Sequence, residues 1–265
     1  MMWKELIYIS LLTILITYTE ITFFPKAYYL KNLTAVYSLL GFVISLLLVF
    51  RTNTAYDRWW EGRKAWGAMV NDTRSLSSKL SVLKINSEER KNFNDLIGLY
   101  VFSVKNHLRS QRVEQDADWQ KDLSRLDLSG HQPLRIQQIL RADIQKLYEH
   151  KTMSAECWLA VQRDLDALVA SLGVCERIKN TPIPFSYSLF IKKFIFIYVL
   201  TMPLAFVPLF GYLSAFITTF VFYALVSMEL LAEEIEDPFG SDENDLPTDQ
   251  ICLSIQTNCA QIFGV

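Results

Sequence analysis

The sequence of 265 residues predicts an all-helical membrane protein, with four membrane-spanning helices and a helical cytoplasmic body. Of the 54 charged side chains (26 basic and 28 acidic), five lie in residues 1–50, 38 in residues 51–185 and only three in residues 186–231. The charge-poor stretches contain four apolar runs long enough to enter a bilayer. Between them, apolar residues recur at helical spacing, and no stretch alternates as a strand would.

The first two runs predict one short and one long helix. Residues 6–24 form a run of 19 with Glu20 as its single charge, and at about 1.5 Å per residue it can cross roughly 30 Å of hydrocarbon. Residues 34–50 form an uncharged run of 17. Its helical pattern continues past Arg51 to Trp66, so we expect one long helix whose lower part leaves the lipid.

The third and fourth runs predict a helical hairpin. They cover residues 186–210 and 212–231, and only Gly211 separates them. Pro203 and Pro208 are expected to break the first arm, because proline cannot donate the helical hydrogen bond. Four spans place both termini on one side of the membrane.

The basic residues near the spans predict the orientation. The loop between the first two spans has only Lys26 and Lys31, whereas the flanks of the middle region carry many more basic residues: Arg51, Arg58, Arg63, Lys64, Arg74, Arg177 and Lys179. Cytoplasmic loops carry the excess of lysine and arginine. The body and both termini are therefore expected in the cytoplasm.

The chain divides by topology into four parts. Residues 1–70 hold the first two spans, 71–185 the cytoplasmic helical region, 186–231 the hairpin and 232–265 an acidic tail. Within the body, breaks are expected at Asn86–Ser87, where Ser87 precedes two glutamates, and at residues 129–133, which include Gly130 and Pro133.

The acidic tail has two interpretations. It holds eight acidic residues and no basic one from Ala232 onward, which is typical of a solvated linker. Alternatively, the oxygen-bearing side chains between Asp237 and Asp245 could converge on a hard cation, with Gly240 permitting a sharp turn. Their spacing does not match an EF-hand.

The sequence gives no support to an enzyme or a nucleic-acid-binding protein. It lacks the phosphate-binding, metalloprotease and nucleophile-elbow motifs, and its net charge of −2 offers no basic excess for a phosphate backbone. His107, His131 and His150 lie apart, with no carboxylate or cysteine at ligand spacing, and are interpreted as ordinary surface or packing residues. The four cysteines have no C-x2-C pair, and we expect them to stay reduced.

The second run contains an apolar stripe at i, i+4 and i+8, formed by Phe42, Leu46 and Phe50. In a single helix, such a stripe is explained by packing against neighbours or lipid. If several copies of the helix surround an axis, the same residues form stacked apolar rings that can gate by dewetting. That second interpretation requires an oligomer.

Three segments together resemble the bacterial bestrophin-like channels. They are residues 50–67 (FRTNTAYDRWWEGRKAWG), 175–187 (CERIKNTPIPFSY) and 235–240 (IEDPFG) with its acidic continuation. They stand in the family's order, with four spans and a helical body, so the resemblance covers essentially the whole chain.

The resemblance implies a homopentameric ion channel in the bacterial inner membrane, with one axial pore for small monovalent ions. The family's apolar neck maps onto Phe42, Leu46 and Phe50, and its cytoplasmic aperture onto Ile183, between two prolines. Apolar rings do not select the sign of an ion; charge near the mouths does. Similarity to the bacterial branch favours sodium or potassium, with chloride as the alternative and a non-conducting membrane scaffold as a third hypothesis.

Residues at the membrane boundary are assigned a structural rather than an ion-contacting role. Tryptophans anchor at the interface and opposite charges pair between helices. This signature consists of Arg58, Trp59, Trp60, Glu61, Arg63 and Trp66.

The resemblance also implies candidates for the calcium clasp of animal members. By position these are Asp237, Asp242 and Asp245, with Ser241 and Asn244 where the family has acids. The chain begins almost directly with its first span, without the longer stretch from which the clasp takes a backbone oxygen. We expect no required cofactor, and calcium remains an alternative.

Overall fold

The computed structural model describes residues 2–24, 33–111 and 130–265. Within these ranges the regular structure is helical, as predicted. Outside the described residues lie Lys26 and Lys31, on which the predicted orientation partly depends, and Ser129, the first residue of a predicted break. The helices are α1 (Met2–Phe23), α2 (Leu33–Ser81), α3 (Ser87–Leu108), α4 (Gln132–Glu149), α5 (Ala155–Asn180), α6 (Phe185–Thr201), α7 (Pro203–Phe210), α8 (Leu213–Glu236) and α9 (Thr248–Phe263).

The helices form two compact units. The first comprises Met1–Asp57 and Pro182–Glu236, and the second comprises Arg58–Thr181 and Asp237–Val265. This division follows packing, whereas the four parts drawn from the sequence follow membrane topology. The boundary after Asp57 falls within α2, which is one helix of 49 residues as expected, about 74 Å long at 1.5 Å per residue.

The first unit contains the apolar helices. Segments Lys4–Phe23, Leu33–Ser81, Phe185–Phe210 and Leu213–Glu236 are long and apolar enough to cross a membrane. Their shared core includes Ile44 and Leu48 of α2, Ile195 and Val199 of α6, and Phe222 of α8. Much of their remaining apolar surface faces outward, which is suited to contact with lipid or with other subunits.

The hairpin is interrupted at Pro203 and at Gly211 as predicted, whereas the break expected at Pro208 does not occur. Helix α6 ends at Thr201, and α7 begins at Pro203, whose missing N–H is harmless at the first helical position. Pro208 lies inside α7 without ending it. Gly211 adopts a φ of 54° between α7 and α8, a value that glycine reaches at little cost.

The second unit is a helical body around a large apolar core. Trp66, Met69 and Leu76 of the lower part of α2 are fully buried there. Helices α3, α4, α5 and α9 supply the rest of the core. The Tyr100 hydroxyl of α3 donates to the Leu168 carbonyl of α5 at 3.0 Å, which satisfies its polar atom inside this core.

Helix α3 begins at the predicted break, and its N-cap residue is Asn86. Its side chain accepts from the Glu89 N–H at 2.8 Å, and the Glu89 carboxylate accepts from the Asn86 N–H at 2.8 Å. This reciprocal capping box satisfies two backbone donors at once. Ser87 is the first helical residue.

The tail differs from the expected acidic linker. Helix α8 continues to Glu236, and residues 248–263 form α9 against α3. The buried face of α9 consists of Thr248, Cys252, Ile255, Cys259 and Phe263. This three-to-four-residue spacing is the sequence pattern of an amphipathic helix.

The thiols are mostly buried. Cys175, Cys252 and Cys259 are buried, and Cys157 at the start of α5 is half-buried. Burial, with smaller contributions from Glu176 and Glu61, raises the pKa of Cys175 to about 12. A thiol with such a pKa carries almost no thiolate near neutral pH, so Cys175 is a packing residue rather than a nucleophile.

We predict that Ile255→Ala destabilises the body by about 2–5 kcal/mol, because it removes a fully buried side chain and leaves a cavity. Leu253→Ala is the matched control, since Leu253 lies on the same helix with 51% of its surface exposed. Thermal unfolding in detergent measures both. Equal shifts in the two variants would contradict the packing of α9.

Candidate functional site

The predicted neck residues lie on the uncovered face of α2. Phe42, Leu46 and Phe50 are 65%, 44% and 56% exposed. The other face of α2 is buried in the first unit, through Tyr37, Ile44, Leu48, Arg51 and Ala55. At 3.6 residues per turn, the centres of the two stripes lie about 170° apart around the helix. The chain therefore leaves the predicted neck residues free to face lipid or other subunits.

Arg51 follows Phe50 and is only 1% exposed. Its Nη2 donates to Glu236 Oε2 at 2.7 Å, and its Nε lies 3.8 Å from Glu229 Oε2. Both carboxylates belong to α8. A guanidinium removed from water needs such partners, because an unpaired buried charge is very costly. The cluster ties the lower end of the stripe to α8.

The same cluster holds the predicted aperture residue. The Ile183 N–H donates to Glu236 Oε1 at 2.7 Å, so the two oxygens of Glu236 serve Ile183 and Arg51. Pro182 and Pro184 lack an N–H, which makes Ile183 the one backbone donor of this Pro-Ile-Pro triplet. The side chain of Ile183 is half-buried. The cluster thus fixes the backbone at the predicted aperture.

In the second unit, Arg58 caps the end of α5. Its Nη1 donates to the Thr181 carbonyl at 2.6 Å, and its Nη2 to the Ile178 carbonyl at 2.7 Å. The last carbonyls of a helix lack partners and carry partial negative charge, which a cation at this end satisfies. The planar guanidinium reaches two of them at once.

Other signature residues also make structural contacts. Glu61 pairs with Arg177, and the Trp59 indole N–H donates to the Asn244 carbonyl at 3.0 Å. A Cβ added at Gly62 would lie 3.1 Å from the Phe239 ring, so the absence of a side chain permits this close packing. These contacts support the structural role assigned to the signature.

The remaining signature residues occupy different environments. Trp66 is fully buried, whereas Trp60 is 46% exposed and Arg63 is also exposed. Trp60 therefore has the partly exposed surface that suits a tryptophan at a membrane interface.

Hydrogen bonds from other parts of the protein hold the backbone of the acidic segment, residues 237–245. Arg109 Nε donates to the carbonyls of Phe239 (3.3 Å) and Gly240 (3.1 Å), and the Leu246 N–H donates to the Pro238 carbonyl at 2.9 Å. Arg109 also pairs with Asp249 at 2.8 Å. A guanidinium thus supplies positive charge and binds backbone oxygens in this segment.

The calcium candidates fit a metal site only in part. Asp245 has a buried Oδ1 without a hydrogen-bond partner among the described residues, and burial is the main cause that raises its pKa. Its Oδ2 accepts from the Asp242 N–H at 2.6 Å, and Asp237 accepts from the Phe239 N–H at 3.4 Å. Within the described residues, these three aspartates do not bring their ligand atoms together within 4.8 Å.

The folded chain brings together two histidines that the sequence analysis treated as scattered. His107 and His131 both lie within hydrogen-bond distance of Glu176, and their ligand atoms are within 4.8 Å of one another. The carboxylate that joins them is far from both histidines in the sequence, so the interpretation of His107 and His131 as separate surface or packing residues was wrong. His150, at the end of α4, remains an exposed residue as interpreted.

Comparison with known proteins assigns the chain. The family described as Bacterial/Fungal Bestrophin protein matches residues 1–261. The chain belongs to the bestrophin family. Among the residues that the structure describes, four apolar segments are long enough to cross a membrane, and this bestrophin is an integral membrane protein.

Curated relatives of this bestrophin carry a common name. It is 39% identical over 230 residues to the voltage-dependent anion channel-forming protein of Synechocystis sp., covering 83% of this chain and 75% of the relative. It is 33% identical over 236 residues to the protein of that name from Escherichia coli K12, covering 88% and 78%.

A solved structure has the same fold. The bacterial bestrophin homolog from Klebsiella pneumoniae superposes with a TM-score of 0.91 at 28% identity, covering 100% of this chain and 99% of the other. The resemblance drawn from the three sequence segments is thereby confirmed at the level of family.

We predict that Arg51→Met destabilises the protein by about 3–5 kcal/mol, because it leaves the buried carboxylate of Glu229 and the half-buried carboxylate of Glu236 without their cation. Arg63→Met on the same helix is the matched control, since Arg63 is exposed. Thermal unfolding of the detergent-solubilised protein measures both. An Arg51→Met variant as stable as Arg63→Met would refute the structural importance of the cluster.

Proposed function

We propose that this bestrophin is an ion channel in which five copies arrange their α2 helices around one axial pore. The observation that carries the proposal is the stripe of Phe42, Leu46 and Phe50, exposed on the face of α2 opposite its buried stripe. Around an axis, each position becomes a ring of apolar side chains that water and ions must pass. Ile183 forms the second constriction, on the cytoplasmic side.

We propose that the channel passes small monovalent anions such as chloride. The relatives' names support anions and give no support to the preference for sodium or potassium drawn from the sequence. Cation selectivity is therefore the opposing outcome of the selectivity measurement below. The proposed location is the bacterial inner membrane, with the body and both termini in the cytoplasm, on the distribution of basic residues.

We also propose that conduction does not require calcium. The Arg109 guanidinium binds the backbone carbonyls of Phe239 and Gly240, and it thereby already places a positive charge in the acidic segment that holds the calcium candidates. Calcium control through these aspartates is the alternative, and it makes a distinct prediction. Ion flux through the wild-type protein would fall when calcium is chelated, and chelation would not change the flux through Asp245→Asn.

The decisive experiment reconstitutes the purified protein in planar bilayers under a gradient of potassium chloride. A reversal potential close to the chloride equilibrium potential, unchanged by a calcium chelator, is the expected result. A potential close to that of potassium would reverse the proposed selectivity. No current, with a monomeric mass in detergent, would favour the membrane-scaffold hypothesis over a channel.

We predict that Leu46→Ala and Ile183→Ala each raise single-channel conductance several-fold or change ion selectivity, because each widens a proposed apolar constriction. Leu11→Ala is the matched control: Leu11 is a 61% exposed leucine of α1 and has no assigned place in the pore. Currents identical in all three variants and the wild type would contradict the assignment of the constrictions.

A further inference from the structure

Three side chains in the second unit converge from different helices. His107 lies in the last turn of α3, His131 caps the start of α4, and Glu176 lies in α5. The Glu176 Oε1 atom is 2.8 Å from His107 Nε2 and 2.6 Å from His131 Nε2. The two imidazole rings are 4.3 Å apart between centroids.

We propose that His107, His131 and Glu176 form a binding site for a divalent transition-metal ion of the zinc class. Two imidazole nitrogens and one carboxylate oxygen are a ligand set that zinc uses when it keeps a fourth position for water. The three side chains are 33%, 33% and 27% exposed, so both an ion and its water can reach them.

The site has the right size after a small adjustment. Zinc lies about 2.0–2.2 Å from nitrogen and oxygen ligands, which places tetrahedral ligands about 3.4 Å from one another. The present separations of 2.6 and 2.8 Å are those of hydrogen bonds. Each imidazole nitrogen therefore has to move away from Glu176 by less than ~1 Å, which rotation about side-chain bonds provides.

Lys179 lies near the three side chains but is engaged by other acceptors. Its Nζ donates to the His107 carbonyl (2.9 Å) and to Ser110 Oγ (2.8 Å). The two imidazoles and the carboxylate therefore face one another without a lysine ammonium bonded to their ligand atoms.

Metal binding would change one hydrogen bond at the start of α4. The Nδ1 of His131 accepts from the Leu134 N–H at 3.4 Å, which leaves the ring proton on Nε2. A metal bound at Nε2 requires that proton to move to Nδ1, and the Leu134 N–H then loses its acceptor. This bond is long, so its loss is a small cost compared with the two bonds that metal and histidines form. The ion would clamp the ends of α3 and α4 to α5.

The test uses the full chain, purified without a histidine tag and stripped of metal with a chelator. Zinc is titrated by competition with a chromogenic chelator, and cobalt replaces zinc for visible spectroscopy. We expect one zinc per chain, a rise in melting temperature on adding zinc, and the intense absorption of tetrahedral cobalt. Absence of zinc binding in the wild type would overturn the proposal.

The variants separate this site from incidental binding. Glu176→Gln and His107→Gln should weaken zinc binding by about 100-fold and abolish the cobalt spectrum, because each removes one of three ligands. His150→Gln, which removes the remaining histidine, should bind as the wild type does. The assignment would be refuted if Glu176→Gln bound zinc with wild-type affinity, or if His150→Gln lost as much zinc affinity as Glu176→Gln. The result does not depend on channel activity.

Discussion

Burial of the Arg51 guanidinium is the constraint on which the arrangement of the first unit depends. A positive charge in an apolar helical bundle is tolerated only with counter-charges, and α8 supplies them through Glu229 and Glu236. Helices α2 and α8 cannot slide past each other without separating these charges. The position of the exposed apolar stripe on α2 is thereby defined relative to the rest of the unit.

The shared carboxylate of Glu236 gives the cluster a second role. One oxygen binds Arg51, beside the lower ring of the proposed neck, and the other binds the backbone at Ile183. The two proposed constrictions are thus connected through a single side chain. A change in the pairing of Glu236 would therefore alter hydrogen bonds at both places.

Local chemistry explains which features could be predicted from the sequence. The start of α3 at Asn86, the turn at Gly211 and the stripe from Phe42 to Phe50 depend on residues within a few positions of one another. The partners of Arg51 and the histidine cluster could not be found in this way. Glu236 is 185 residues from Arg51, and Glu176 is 69 and 45 residues from the two histidines. Only the packing of helices brings such groups together. Helix α9 is the opposite case, because the three-to-four-residue spacing of its apolar residues is a local signal that the sequence carries by itself.

The burial of three thiols makes the natural sequence close to a single-cysteine protein for labelling reagents. Cys175, Cys252 and Cys259 are enclosed in the helical body, so a maleimide dye or nitroxide added to the folded chain reacts first at Cys157. A fluorophore or spin label could then be attached at the start of α5 without engineering a cysteine-free background. In a symmetric assembly, one label per subunit would report distances between copies of that helix.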